Sequence, residues 1–190
     1  MSADDRPAGA VTEPPATAVI EPVARAAFPS GRLTVGLAVT VLVLDQVTKG
    51  LVREYLPLHS SVSLIDGFLD LTHVRNTGAA FGFLNAVDIP FKPALMTAIA
   101  LVALIAIAIY TSRVTSQEPL SRLGLALILG GAIGNLIDRV TVGYVIDFVD
   151  VYCGAWHFWE FNVADASITT GACALIIDIA FLSRHVSEAV

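Results

Sequence analysis

Eight polar side chains stand in or beside strongly apolar sequence: Asp45 and Lys49 in DQVTK, Asn135, Asp138 and Arg139 in GNLIDR, Asp147 in GYVIDF, and Asn162 and Asp165 in FNVAD. A carboxylate held at the centre of a bilayer costs about 2.5 to 3.5 kcal/mol on insertion scales, so such residues are kept for function or are paired. Asn135 precedes Asp138 by three positions and Asn162 precedes Asp165 by the same three, which on a helix gives each acid an amide neighbour on its own face. Two carboxylates brought close together share a proton: like charge raises one pKa, so one acid stays protonated while the other activates water. That is the chemistry of an aspartic protease, and it requires neither metal nor covalent nucleophile. Asp165 could pair with Asp138, 27 positions earlier, or with Asp147, 18 earlier, and spacing alone leaves both open. Asp45 and Lys49, four apart on one helical face, read as a structural ion pair. Arg139 would tether acids or bind a substrate phosphate or carbonyl.

These groups need a membrane scaffold. The chain has 190 residues, 55% of them hydrophobic and 15% charged, too apolar for an ordinary soluble domain. Its net charge of -6 offers no basic patch for nucleic acid, and Cys153 and Cys173, with no metal-ligand spacing, read as packing residues. Residues 1–31 hold five of the nine prolines and are expected to form a disordered cytoplasmic tail. Residues 32–186 are expected to form one four-helix transmembrane domain, with helices at about 33–54, 93–112, 121–140 and 163–183. Gly130, Gly131 and Gly134 in the third would let a neighbouring helix approach closely. Arg25, Arg32, Arg113, Arg122 and Arg184 all fall on one side, which places both termini in the cytoplasm. The segments at about 55–92 and 141–162 then lie outside; SVSLIDGFLDLTHV and TVGYVIDFVDVY are strand-like and predict a small sheet at the membrane surface. Within them, Leu64 to His73 and Gly78 to Gly82 are candidates for a lid. His59, His73, His157 and His185, and the acids Asp150, Glu160 and Asp178, are expected at surface or interfacial positions. A competing class, a small proton-coupled transporter or channel component, would thread acids through the bilayer, whereas these gather near one face.

Five ordered stretches, DQVTK, RNTGAAFG, GNLIDR, GYVIDF and FNVADASI, resemble the type II signal peptidases, the lipoprotein signal peptidases of bacteria. The resemblance implies an all-α membrane protein of four transmembrane helices with a small extracytoplasmic β-sheet cradle, working without a cofactor or metal as an aspartyl endopeptidase. Its partners would be lipid-modified prolipoproteins, cut just before the diacylglyceryl cysteine, and the lipids of the bacterial inner membrane; it would act as a monomer with its active site at the extracytoplasmic face. Asp147 and Asp165 match the family's catalytic pair. Asn135, Asp138, Arg139 and Asn162 match supporting positions, Asn76 a substrate-facing one, and Asp45 and Lys49 a polar pair on the first helix. The Pro- and Ala-rich tail before Leu33 is a departure from the family core.

Overall fold

The computed structural model describes residues 31–78, 89–111 and 118–182. The tail, the Ala79 to Gly82 part of RNTGAAFG with most of the glycine-rich lid candidate, Arg113, Arg184 and His185 lie outside the described residues. Among the described residues, four helices are long and apolar enough to cross a membrane: α1 (Gly31–Tyr55), α2 (Lys92–Thr111), α3 (Pro119–Thr141) and α4 (Val163–Ile177), the last continued by a π-helical turn at Asp178–Leu182. Lipid cannot hydrogen-bond to a backbone, so apolar segments of this length close their own ladders as helices. The expected fold class is the one found.

Helix α3 is the central post. A Cβ on Gly131 would lie 2.5 Å from the carbonyl oxygen of Ala164 in α4, and one on Gly134 would lie 2.5 Å from Asp45 Oδ2 in α1. Without side chains there, the Ala164 backbone of α4 and the Asp45 side chain of α1 both sit directly against the α3 backbone, as small residues permit between helices in lipid. Helix α2 packs chiefly on α3 and turns Ile99, Val102, Ile105 and Ile109 outward.

At one end of the bundle lies an antiparallel sheet in the order β1 (Ser61–Ile65), β2 (Leu69–Asn76), β3 (Val145–Cys153), β4 (Trp156–His157). Ile146 and Phe148 of β3 pack on Val52 and Leu56 at the end of α1. Because successive strand residues face opposite ways, Asp147 between them is turned to the other face. Strand β2 carries an extra residue between Leu71, opposite Val149, and Val74, opposite Asp147. This bulge resets the alternation so that Asn76, opposite Val145, shares a face with Asp147.

Several expectations are corrected. His73 is buried in the bulge, its Nδ1 2.8 Å from the carbonyl oxygen of Leu56. A carbonyl only accepts, so that nitrogen donates. Asp150 is buried beside His157, whose Nδ1 lies 2.9 Å from its Oδ2, and Asp178 is buried at the opposite end of the bundle, where it accepts from Ser121 Oγ. Both acids read as solvated or interfacial in the sequence because their partners are 7 and 57 residues away. Cys153 and Cys173, expected to pack internally, are exposed on the outside of the protein.

Candidate active site

The local sequence at the start of α4 builds the centre. Asn162 caps the helix: its side-chain oxygen accepts from the backbone N–H of Asp165 at 2.9 Å, and Asp165 Oδ2 receives the N–H of Asn162 at 3.4 Å. An N-x-x-D sequence satisfies two orphan donors of the helix end in this reciprocal way. With its oxygen so held, the Asn162 amide nitrogen points away from the helix and donates to Asp147 Oδ1 at 2.6 Å and to the carbonyl of Ile146 at 3.2 Å. One asparagine thereby joins the carboxylates of β3 and α4.

Two further amides complete the shell. Asn76 Nδ2 donates to Asp147 Oδ2 at 2.9 Å, while its oxygen accepts from the N–H of Gly78 at 2.9 Å. Asn135 Nδ2 donates to Asp165 Oδ1 at 2.8 Å. Asp147 is 2% exposed and Asp165 is half-buried, so the pair is shielded on one side and open on the other. Loss of hydration, and then the negative charge of Asp165, push the Asp147 carboxyl up to about 7 against the pull of Asn76, Asn162 and Lys49. An acid poised there can hold a proton or release it near neutral pH.

Behind Asn135 lies a buried ionic knot. Lys49 Nζ sits 2.8 Å from Asp45 Oδ2, 2.9 Å from Asp138 Oδ2 and 2.8 Å from Asn135 Oδ1, and Asp45 Oδ1 accepts from the N–H of Ala164 at 2.9 Å. The expected i,i+4 pair is present, with Asp138 as a third member. The expected pairing of Asn135 with Asp138 is not: Asn135 turns to Asp165 on α4, and Asp138 turns to Lys49 on α1. Close packing at Gly134 brings α1 near enough for its ammonium to take Asp138. Arg139 donates to the carbonyls of Asn135 and Gly78, each at 3.3 Å, and so bridges its own helix to the loop after β2. Gln46, overlooked in the sequence, donates to Asp45 Oδ2, Gly134 O and Asp138 Oδ1 at 3.2 to 3.3 Å. Its signal was an amide beside Asp45, directly after the apolar run Val41 to Leu44. Among the described residues no three His, Cys, Asp or Glu side chains converge to hold a metal ion.

Four membrane-capable helices, a small sheet at one end, and two carboxylates in a cage of amides define the class of membrane-embedded aspartic peptidases. The family model of signal peptidase (SPase) II matches residues 37–181. The chain belongs to the signal peptidase II family. It is 47% identical over 141 residues to the lipoprotein signal peptidase of Maridesulfovibrio salexigens, covering 74% of this chain and 90% of that protein. The lipoprotein signal peptidase of Syntrophus aciditrophicus is 43% identical over 147 residues, covering 77% and 89%. A solved structure described as a bacterial membrane enzyme, obtained by the in meso method at 2.3 Å, superposes with a TM-score of 0.71 at 32% identity over 80% of this chain and 90% of that one. A second, at 1.9 Å, gives 0.69 at 29% identity over 80% and 94%. The relatives are named as peptidases, and no transporter stands among these matches.

Proposed function

We propose that this bacterial multi-pass membrane enzyme removes the signal peptides of diacylglyceryl-modified prolipoproteins by cutting just before the lipidated cysteine, with Asp147 and Asp165 as its reacting pair. The observation that carries the residue assignment is Asn162, which donates to Asp147 and caps the helix turn that bears Asp165. In this reading the ionised carboxylate takes a proton from water as its oxygen attacks the scissile carbonyl, and the protonated one passes its proton to the leaving amine. Asn76, Asn135 and Asn162 hold the two acids in place, Asp45, Lys49 and Asp138 brace the helices behind them, and Arg139 fixes the loop after β2. In this reading the working unit is a monomer.

The substrate brings its own anchors, a signal helix and two acyl chains dissolved in the bilayer. An active site at the membrane rim receives it laterally, and the lipid holds the peptide in register, which reduces the orientational freedom to be lost. Arg32 and Arg122 stand at the end of the bundle away from the sheet, which supports cytoplasmic termini and an extracytoplasmic site. The test is purified protein with a diacylglyceryl-modified precursor, products located by mass spectrometry. Cleavage directly before the modified cysteine, lost in folded Asp147→Asn and Asp165→Asn variants, is the expected result; if both variants still cut, the assignment of the pair fails.

A further inference from the structure

The three amides around the carboxylates share one design. An asparagine can present either its oxygen or its nitrogen to a neighbour, and a carboxylate is served only by the nitrogen. At Asn76 the wrong orientation is blocked by the N–H of Gly78, which occupies the oxygen at 2.9 Å. At Asn162 the N–H of Asp165 does the same at 2.9 Å. Both of those donors are backbone. Behind Asn135 the near donor to the oxygen, at 2.8 Å, is the ammonium of Lys49, with the amide of Asn162 more distant at 3.4 Å. An ammonium has no acceptor, so it dictates which end of the amide faces it. Lys49 is fully buried, and Asp45 and Asp138 hold it from two further directions, so it cannot swing away.

We propose that Lys49 is a positioning residue of the reaction: by donating to Asn135 Oδ1 it locks the amide so that Asn135 Nδ2 faces Asp165. The ion pair with Asp45 and Asp138 then serves to hold the lock, rather than being the purpose of the lysine. The inference rests on the reading of Asp147 and Asp165 as the reacting pair. The charged groups acting on that pair are Lys49 and Asp45 from α1, Arg139 from α3, and Asp165 toward Asp147; Asp138 faces Lys49 and Arg139, and Arg75 of β2 lies over the ring of Tyr144, 4.6 Å from its centroid. Lys49 also pulls the Asp147 carboxyl downward, so its loss has a second signature.

The test measures kcat and KM for a lipid-modified precursor peptide across pH in detergent, on wild type, Lys49→Met and Asn135→Asp, with thermal unfolding to count folded molecules. Lys49→Met is expected to lower kcat per folded molecule by about tenfold or more with KM changed less than about threefold, and to move the alkaline limb to higher pH. Asn135→Asp keeps an acceptor for Lys49, so it folds, but turns an oxygen toward Asp165; its activity is expected to fall by about a hundredfold at neutral pH and to recover on acidification, when the introduced carboxyl gains a proton to donate. Unchanged kcat in folded Lys49→Met, or wild-type behaviour of Asn135→Asp at every pH, overturns the inference. If Lys49→Met does not fold, Asn135→Asp decides alone. Asp147→Asn and Asp165→Asn run beside them: full activity in those removes the reacting pair itself, whereas activity lost in them and kept in the other two overturns only the role of Lys49.

Discussion

Replacing Asn76 by leucine removes one hydrogen bond from Asp147 and leaves a side chain of similar size. Its effect on the pH dependence of cleavage follows from the geometry. Burial and the neighbouring Asp165 raise the Asp147 carboxyl to about 7, and the 2.9 Å bond from Asn76 is among the contacts that restrain it. A group with that pKa is about nine-tenths protonated at pH 6 and about one-tenth at pH 8. Hydrolysis by a shared-proton pair needs one acid to keep its proton, so kcat/KM should fall on the alkaline side with a midpoint near 7, by roughly tenfold per further unit. A hydrogen bond to a charged group is worth about 1.5 to 3 kcal/mol, and a pKa unit corresponds to 1.36, so losing the Asn76 donor should raise the midpoint by about one to two units. With Asp147 only 2% exposed, solvent does little to soften that shift. The assay is kcat/KM for a lipid-modified precursor from about pH 5 to about pH 10, with folding monitored at each point. The midpoint belongs to the coupled pair, so it is read as one shared limb. An alkaline limb that stays in place or moves to lower pH in Asn76→Leu would refute the reasoning.

Two further perturbations separate framework from chemistry. In Gly131→Ala the new Cβ meets the Ala164 carbonyl at 2.5 Å and pushes on the turn that carries Asp165; a loss of about 1 to 3 kcal/mol of stability is expected, with cleavage falling alongside it, read by thermal unfolding and by kcat per folded molecule. Ser121→Ala strips Asp178 of its hydroxyl partner at the other end of the bundle; stability should fall by about 1 to 3 kcal/mol while kcat per folded molecule stays within about twofold.

The sequence disclosed what obeys short-range rules. Residues 93–110 had to be helical because uncharged chain in lipid has no other open-ended solution, and VIDFVDVY had to extend because β-branched and aromatic side chains crowd a helix. The N-x-x-D at Asn162 was legible as well, since its two bonds close within one turn. The same spacing at Asn135 misled: those residues lie in the last two turns of α3, where no helix N-terminus needs a cap, so their side chains were free to choose partners on α1 and α4. His73, Asp150 and Asp178 were hidden for a related reason. Each is buried through a contact made by another element, and no local pattern announces a bulge or a distant serine.

Asn162 and its neighbours also bear on how the protein comes into being. The groups proposed to react are spread along the chain so that Asp147 precedes the last helix and Asp165 opens it, while the ammonium bonded to Asn135 belongs to the first. During synthesis, a chain with three helices delivered to the bilayer already holds Lys49 between Asp45 and Asp138, yet has neither the cap nor the second acid. With Asp147 and Asp165 as the proposed pair, a product stalled before the final membrane crossing is inert toward its neighbours.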